Sequence, residues 1–332
     1  MNRSNAISVD HAKLGFVGHD LKRPECVLCA PNGTLYVAHR GGGIMKIGAD
    51  GSQRIIGGDL QVDGHEFIPN GFTLLPDGSF LIANMGHGGG LWSLSADGKL
   101  KPYLSEVDGA PLAKANFVFN DEQGRIWITV TTRSDPLSKA MTALGAPENN
   151  DGFICLIDKR GARIVADGFA FTNEARVDRT GKMLYVAETF GRRITRFALS
   201  AAGELSQREV FTTFGHGTFA DGIAFDADDH IWVTSVISNR LIRVAPDGSQ
   251  TIVLADSKPD MIDAHERDLS QGRVTRDHFY RQSGQFIQNM ASIAFGGADL
   301  RTVYLGSLAG DRLVTFRSPV AGLPLAHWAY AQ

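Results

Sequence analysis

Cysteine is scarce in this chain: Cys26, Cys29 and Cys155 are the only three among 332 residues. So small and odd a set cannot supply a disulfide framework and fits a reducing compartment. Cys26-x-x-Cys29 has the spacing of a redox or zinc pair. It lies in a strand-like segment, however, where positions three apart point to opposite faces, so buried structural thiols are expected. Long apolar runs are missing too. No stretch approaches the roughly 18 apolar residues of a membrane span, and MNRSNAISVDHAKLGF at the N-terminus has no continuous apolar segment. The expectation is a cytoplasmic protein without a membrane partner. Charge of one sign never collects into a block: 33 basic and 36 acidic residues give −3, spread along the chain. That argues against a nucleic-acid groove or a basic membrane face and leaves a small molecule as the expected partner. No feature specifies an oligomeric state. HExxH and Gly-x-Ser-x-Gly are absent, and Gly41–Gly43 and Gly88–Gly90 are not followed by Lys-Ser or Lys-Thr. Zincin, serine-hydrolase and P-loop chemistry are thereby set aside.

What the chain does have is an internal repeat. A polar residue, an alternating apolar strand, an Asp/Asn/Gly turn and a second strand recur six times. The copies open at Glu25 (ECVLCAPNGTLYVAH), Asn70 (NGFTLLPDGSFLIAN), Asn116 (NFVFNDEQGRIWITV), Asn173 (NEARVDRTGKMLYVAE), Asp221 (DGIAFDADDHIWVTS) and Ser292 (SIAFGGADLRTVYLGS). Each is followed by a further strand pair with Ala-Asp-Gly or Pro-Asp-Gly at several hairpins, as in SNRLIRVAPDGSQTIVLA. Four antiparallel strands per unit, without intervening helices, make a propeller blade. The spacings of 45, 46, 57, 48 and 71 residues between starts centre on a blade repeat. The expected architecture is all-β: one six-bladed propeller spanning 1–332, with insertions at 133–152 and 256–290. KLGFV near the N-terminus is expected to pair with RLVTFRSP near the C-terminus and close the ring. Trp92, Trp127 and Trp232 fall at strand positions suited to packing between blades.

The first strand of each blade lines the central channel, so the six opening residues meet at one end of it. All six carry oxygen, and Glu25 and Asp221 are acidic. Two buried carboxylates close together repel unless a cation separates them. Hard oxygen donors favour calcium, magnesium or manganese over a thiolate-type zinc site. The alternative is that these groups cap strand ends and bind channel water. The 256–290 insertion leads directly into the sixth inner strand and is expected to cover this end.

The segments PNGFTLLPDGSFLIAN, GFAFTNEARVDRTGKMLYVAET and ADGIAFDADDHIWVT resemble the SMP-30/gluconolactonase/LRE family, from about residue 20 to residue 316. The resemblance implies a six-bladed propeller of the regucalcin type, with one divalent cation held by Glu25, Asn173 and Asp221. Calcium is the first expectation, with magnesium, manganese or zinc as alternatives. Asn116 matches a position beside the metal, and Lys114 stands where many members carry a substrate-binding arginine. PECV replaces the usual EGP in the first blade, and ADG replaces PDG in the fifth.

The implied activity is metal-dependent hydrolysis of a small lactone. Asp221 acts as general base and Asn116 steadies the developing oxyanion, while Asn70, Lys114, His87 and His216 are candidate substrate contacts. Two alternatives stand beside it: an organophosphate or aryl ester hydrolase on the same site, and a non-catalytic, metal-stabilised propeller that binds a metabolite or a protein.

Overall fold

The computed structural model describes residues 7–134, 137–141, 150–281 and 283–330. Within the first insertion, 135–136 and 142–149 lie outside the described residues. Six four-stranded antiparallel sheets follow one another as the blades of a propeller. Their inner strands begin within two residues of the repeat starts: Val27–Cys29, Pro69–Leu74, Ala115–Asn120, Thr172–Val177, Phe219–Phe225 and Met290–Gly296. The sixth blade is a composite. Gly15–Val17 forms its outer strand by pairing with Leu313–Arg317, Phe16 opposite Val314, which is the ring closure expected from the two chain ends.

The hairpins explain the repeated Asp-Gly signal. Asp50, Asp77 and Asp247 each accept from the backbone N–H and hydroxyl of the serine two residues on. The glycine between them takes the left-handed backbone, with φ of 81°, 80° and 85° at Gly51, Gly78 and Gly248. This is an Asx turn with the residue that tolerates it at least cost.

Blades three and five share a second local device. Asp121 accepts from the backbone of Gln123 and Arg125, from Arg125 Nε at 2.6 Å and from Trp127 Nε1 at 2.8 Å. Asp226 does the same for Asp228, His230, Arg243 Nε at 2.7 Å and Trp232 Nε1 at 2.8 Å. Trp127 and Trp232 are fully buried, whereas Trp92 is half-buried and donates to Gly89 O. Asp226→Ala should cost about 2 to 4 kcal/mol, because it leaves the buried Trp232 indole N–H without its acceptor and the part-buried Arg243 with only its longer contact to Asp228 at 3.2 Å. Denaturant unfolding measures it, and a loss below about 1 kcal/mol would show the network to be dispensable.

Cys26, Cys29 and Cys155 are free, buried thiols, as expected from their strand setting. Between blades five and six the chain forms the helix Pro259–Ser270 and the short turn Arg276–Tyr280. These pack with Leu137, Met141, Phe171, Phe190 and Phe219 in an apolar cluster above the channel. No helix among the described residues is long and apolar enough to cross a membrane.

Candidate active site

Five of the six inner strands are irregular at the position that opens each repeat. The ladder slips between Pro69 and Phe72, Ala115 and Phe117, Thr172 and Ala175, Ala220 and Ile223, and Met290 and Ser292. A bulge re-aims the side chains within it. Asn70, Asn116, Asn173 and Asp221 sit in these bulges and, with Glu25, line one cavity of about 60 Å³. All five are 5 % exposed or less. Ser292, the sixth, is buried beside its bulge, still paired with Gly306, and is not among the residues lining the cavity.

The hydrogen bonds determine what each group offers. Thr189 Oγ1 donates to Ala220 O at 2.8 Å and so must accept from Asn173 Nδ2 at 2.9 Å. Asn173 Oδ1 is left without a protein partner. Thr131 plays the same part for Asn116, donating to Thr172 O and accepting Asn116 Nδ2 at 2.9 Å. Asn70 is the hub of the opposite side: its Nδ2 reaches Glu25 Oε1 at 3.1 Å and Asn116 Oδ1 at 3.1 Å, while its Oδ1 accepts from Arg23 at 2.5 Å. Having spent its amide on protein partners, Asn70 positions its neighbours. Glu25 Oε2 and Asp221 Oδ1, like Asn173 Oδ1, are buried and without a protein partner.

Three orphaned buried oxygens converging on one cavity are costly as they stand. Burial raises the Glu25 carboxyl, with Arg23 and Asn70 pulling the other way. Burial, then the charges of Glu25 and Glu174, push Asp221 well above the ordinary carboxylate range. A hard divalent cation is the group that satisfies such donors, so the residues present fit one held by Glu25, Asn173 and Asp221. Among the described residues no cluster of three or more His, Cys, Asp or Glu side chains forms elsewhere, and here the third donor is an amide.

The other expected contacts are dispersed. His216 is exposed and bonds Asp263 Oδ1 of the helix at 2.9 Å instead of reaching the cavity. His87 is exposed and stacked on His65, ring centroids 4.1 Å apart. Lys114 is half-buried, with its carbonyl accepting from Thr131 N, and is not among the lining residues. Neither histidine is placed as a contact of the cavity by this geometry.

Several lining residues escape a reading of the repeat. Arg23, Arg276 and Tyr280 are polar; Met85, Leu137, Met141, Phe171, Phe279 and Leu308 form apolar walls. Those from 256–290 place that insertion over this end of the channel, and Leu137 and Met141 bring the first insertion beside it. Glu174 is a further surprise. The residue after each bulged donor faces the next blade, and in blades two and five it is glycine. A Cβ at Gly71 would meet Phe117 Cδ2 at 2.3 Å, and one at Gly222 would meet Ala291 O at 2.5 Å. In blade four Glu174 fills that place, accepting from Ile223 N at 3.2 Å with Arg176 at 3.5 Å, and burial raises its carboxyl to about 8.

A larger cavity of about 130 Å³ lies at the other end of the inner strands, covered by the C-terminal segment. There the buried His327 Nε2 bonds Cys29 O at 2.8 Å. It holds none of the ring donors.

Residues 24–262 match the model of the SMP-30/Gluconolactonase/LRE-like region. A 6-deoxy-6-sulfogluconolactonase of Pseudomonas putida is 25% identical over 247 residues, 73% of this chain and 69% of that protein. Among solved structures, a gluconolactonase from Xanthomonas campestris superposes with TM-score 0.68 at 16% identity, covering 96% of each chain. The calcium-binding regucalcin of Agrobacterium tumefaciens gives 0.66 at 18% identity, covering 93% of this chain and 96% of that one.

Proposed function

As the chain belongs to the SMP-30/Gluconolactonase/LRE-like family, we propose that it is a lactonase, a carboxylic ester hydrolase that opens a small cyclic ester at the buried cavity of the ring. The observation that carries this reading is the set of three orphaned oxygens, Glu25 Oε2, Asn173 Oδ1 and Asp221 Oδ1, facing one cavity. The gluconolactonase and sulfogluconolactonase relatives support the substrate class.

Glu25, Asn173 and Asp221 would hold a divalent cation, which would supply Lewis acidity toward an ester carbonyl and toward water. The protein's own groups do the rest. Asp221 is the one carboxylate of the set whose oxygens receive no hydrogen bond from Asn70, and it accepts the proton of the attacking water. Thr131 holds the Asn116 amide by one N–H, and its second N–H is the donor offered to the carbonyl oxygen as charge develops. Met85, Phe171 and Phe279 keep bulk water away, which strengthens these electrostatic contacts.

Purified protein with added calcium, magnesium, manganese or zinc should acidify solutions of aldonolactones faster than background in a pH-stat. An aryl ester and an organophosphate triester run beside them test the alternative hydrolase. A flat response to every lactone under every cation would leave the non-catalytic propeller standing.

A further inference from the structure

Two guanidiniums and a phenol meet at the same cavity as the carboxylates. Arg23 donates Nη1 to Pro69 O at 3.0 Å and Nη2 to Asn70, and its buried Nε has no protein partner. Arg276 and Tyr280, from the turn Arg276–Tyr280, are half-buried in the lining. Nearby arginines are neutralised: Arg40 pairs with Glu66 at 2.9 Å, and Arg192 with Glu266 at 2.5 Å. Among the described residues no carboxylate pairs with Arg276 within ion-pair distance.

Tyr280 registers the resulting field. Burial alone would raise its phenol, yet Arg23, Arg276 and Arg40, with a bond from Arg276, bring it below its ordinary value. Guanidinium cations held against a partly dry cavity favour an oxyanion, whose planar or tetrahedral oxygens match their paired donors. Glu25 and Asp221 draw on the charge of Arg23, whereas Arg276, from the covering insertion, is left with no carboxylate within ion-pair distance among the described residues.

We infer that the substrate is a lactone bearing a negatively charged substituent, a carboxylate, phosphate or sulfonate, held by Arg276 together with Arg23 and Tyr280. This rests on the lactonase reading and narrows it. Arg276 then sets substrate preference without touching the ester.

Steady-state hydrolysis of neutral aldonolactones, compared with counterparts carrying a terminal carboxylate, phosphate or sulfonate, tests it, alongside calorimetric titration with inorganic sulfate. The charged class should show the higher kcat/KM, and sulfate should bind and compete. Arg276→Gln should lower the charged-to-neutral preference by about 10- to 100-fold, the range one charge-assisted hydrogen bond supports, chiefly through KM. Arg276→Lys should retain part of it, and melting temperatures verify folding of both variants. The rank order among the three anions identifies the substituent. Equal kcat/KM for neutral and charged lactones, or an unchanged preference in Arg276→Gln, overturns the inference and leaves the lactonase reading intact. If no lactone is opened, the lactonase reading fails, and the titration alone decides. Weaker sulfate binding in Arg276→Gln then upholds an oxyanion site, and equal or absent binding overturns it.

Discussion

Replacing Asp221 by asparagine should lower lactone turnover by about 10²- to 10⁴-fold, the usual contribution of a positioned general base, and should leave the propeller folded. The substitution keeps the shape of a side chain that is 5 % exposed and sits in an inner-strand bulge. What it removes is one negative charge and the capacity to take a proton, since an amide oxygen is a poor base. The stability readout distinguishes this from damage. In cation-free protein Asp221 is held far above the ordinary carboxylate range by burial and by Glu25 and Glu174. Asparagine is neutral without taking up a proton, so it is spared the cost of burying an acid that must first be neutralised, and the melting temperature of the cation-free variant should equal or exceed that of the native protein. A polar cap would behave differently: asparagine fills that role equally well, and activity would persist. Near-normal turnover in folded, cation-loaded Asp221→Asn protein would dismiss Asp221 as the base.

Thorough chelation should take hydrolysis to background, and calcium, manganese, magnesium or zinc should restore it. The same cation should raise the melting temperature, because a ligand present at 100 times its Kd stabilises the native state by about 2.7 kcal/mol. The effect has a pH signature. Burial lifts Glu25 from 4.5 to about 7. A folded-state value above the unfolded one means stability that is complete below the unfolded value and is lost as pH rises through the folded one. Cation-free protein should thus weaken between about pH 5 and pH 8. A cation displaces those protons, so its stabilising effect should grow across the same window. Full turnover without cation, or a melting temperature blind to it, would sever the cation from both reaction and fold.

The blade count was legible because a strand's alternation and its Asp-Gly turn are local, and each blade repeats them. Ring closure followed from chain economy, and KLGFV does meet RLVTFRSP through Phe16 and Val314. The convergence of Glu25, Asn70, Asn116, Asn173 and Asp221 was legible for the same reason: equivalent positions of a radial repeat share one end of the axis. The bulges were not. A period-of-two pattern carries no mark of a slipped register, and the bulge is what puts both Asn173 and Glu174 out of the ladder.

Residues outside the repeat were the hardest to place. His87 and His216 resembled site residues because their loops lie near blade starts, yet one ring stacks on His65 and the other turns to Asp263. Arg276 and Tyr280 come from an insertion that has no counterpart in the other blades, so no internal comparison could assign them. Thr131 and Thr189 did leave a signal, the hydroxyl just after the second strand of blades three and four. Its meaning depended on which backbone carbonyl each hydroxyl faces across the blade boundary.

The composite sixth blade also sets an order of events at the ribosome. A strand made among the first twenty residues must wait, unpaired, for a partner some 300 positions later: Gly15 faces Thr315. Blades one to five can collapse one by one as they emerge, since each is a run of hairpins with short-range contacts. The circle itself cannot shut until Leu313–Arg317 has left the exit tunnel. Until then the free Gly15–Val17 segment presents unsatisfied backbone to any passing strand. The interval before Leu313–Arg317 emerges is therefore the one in which Gly15–Val17 is most exposed to pairing with a second nascent copy.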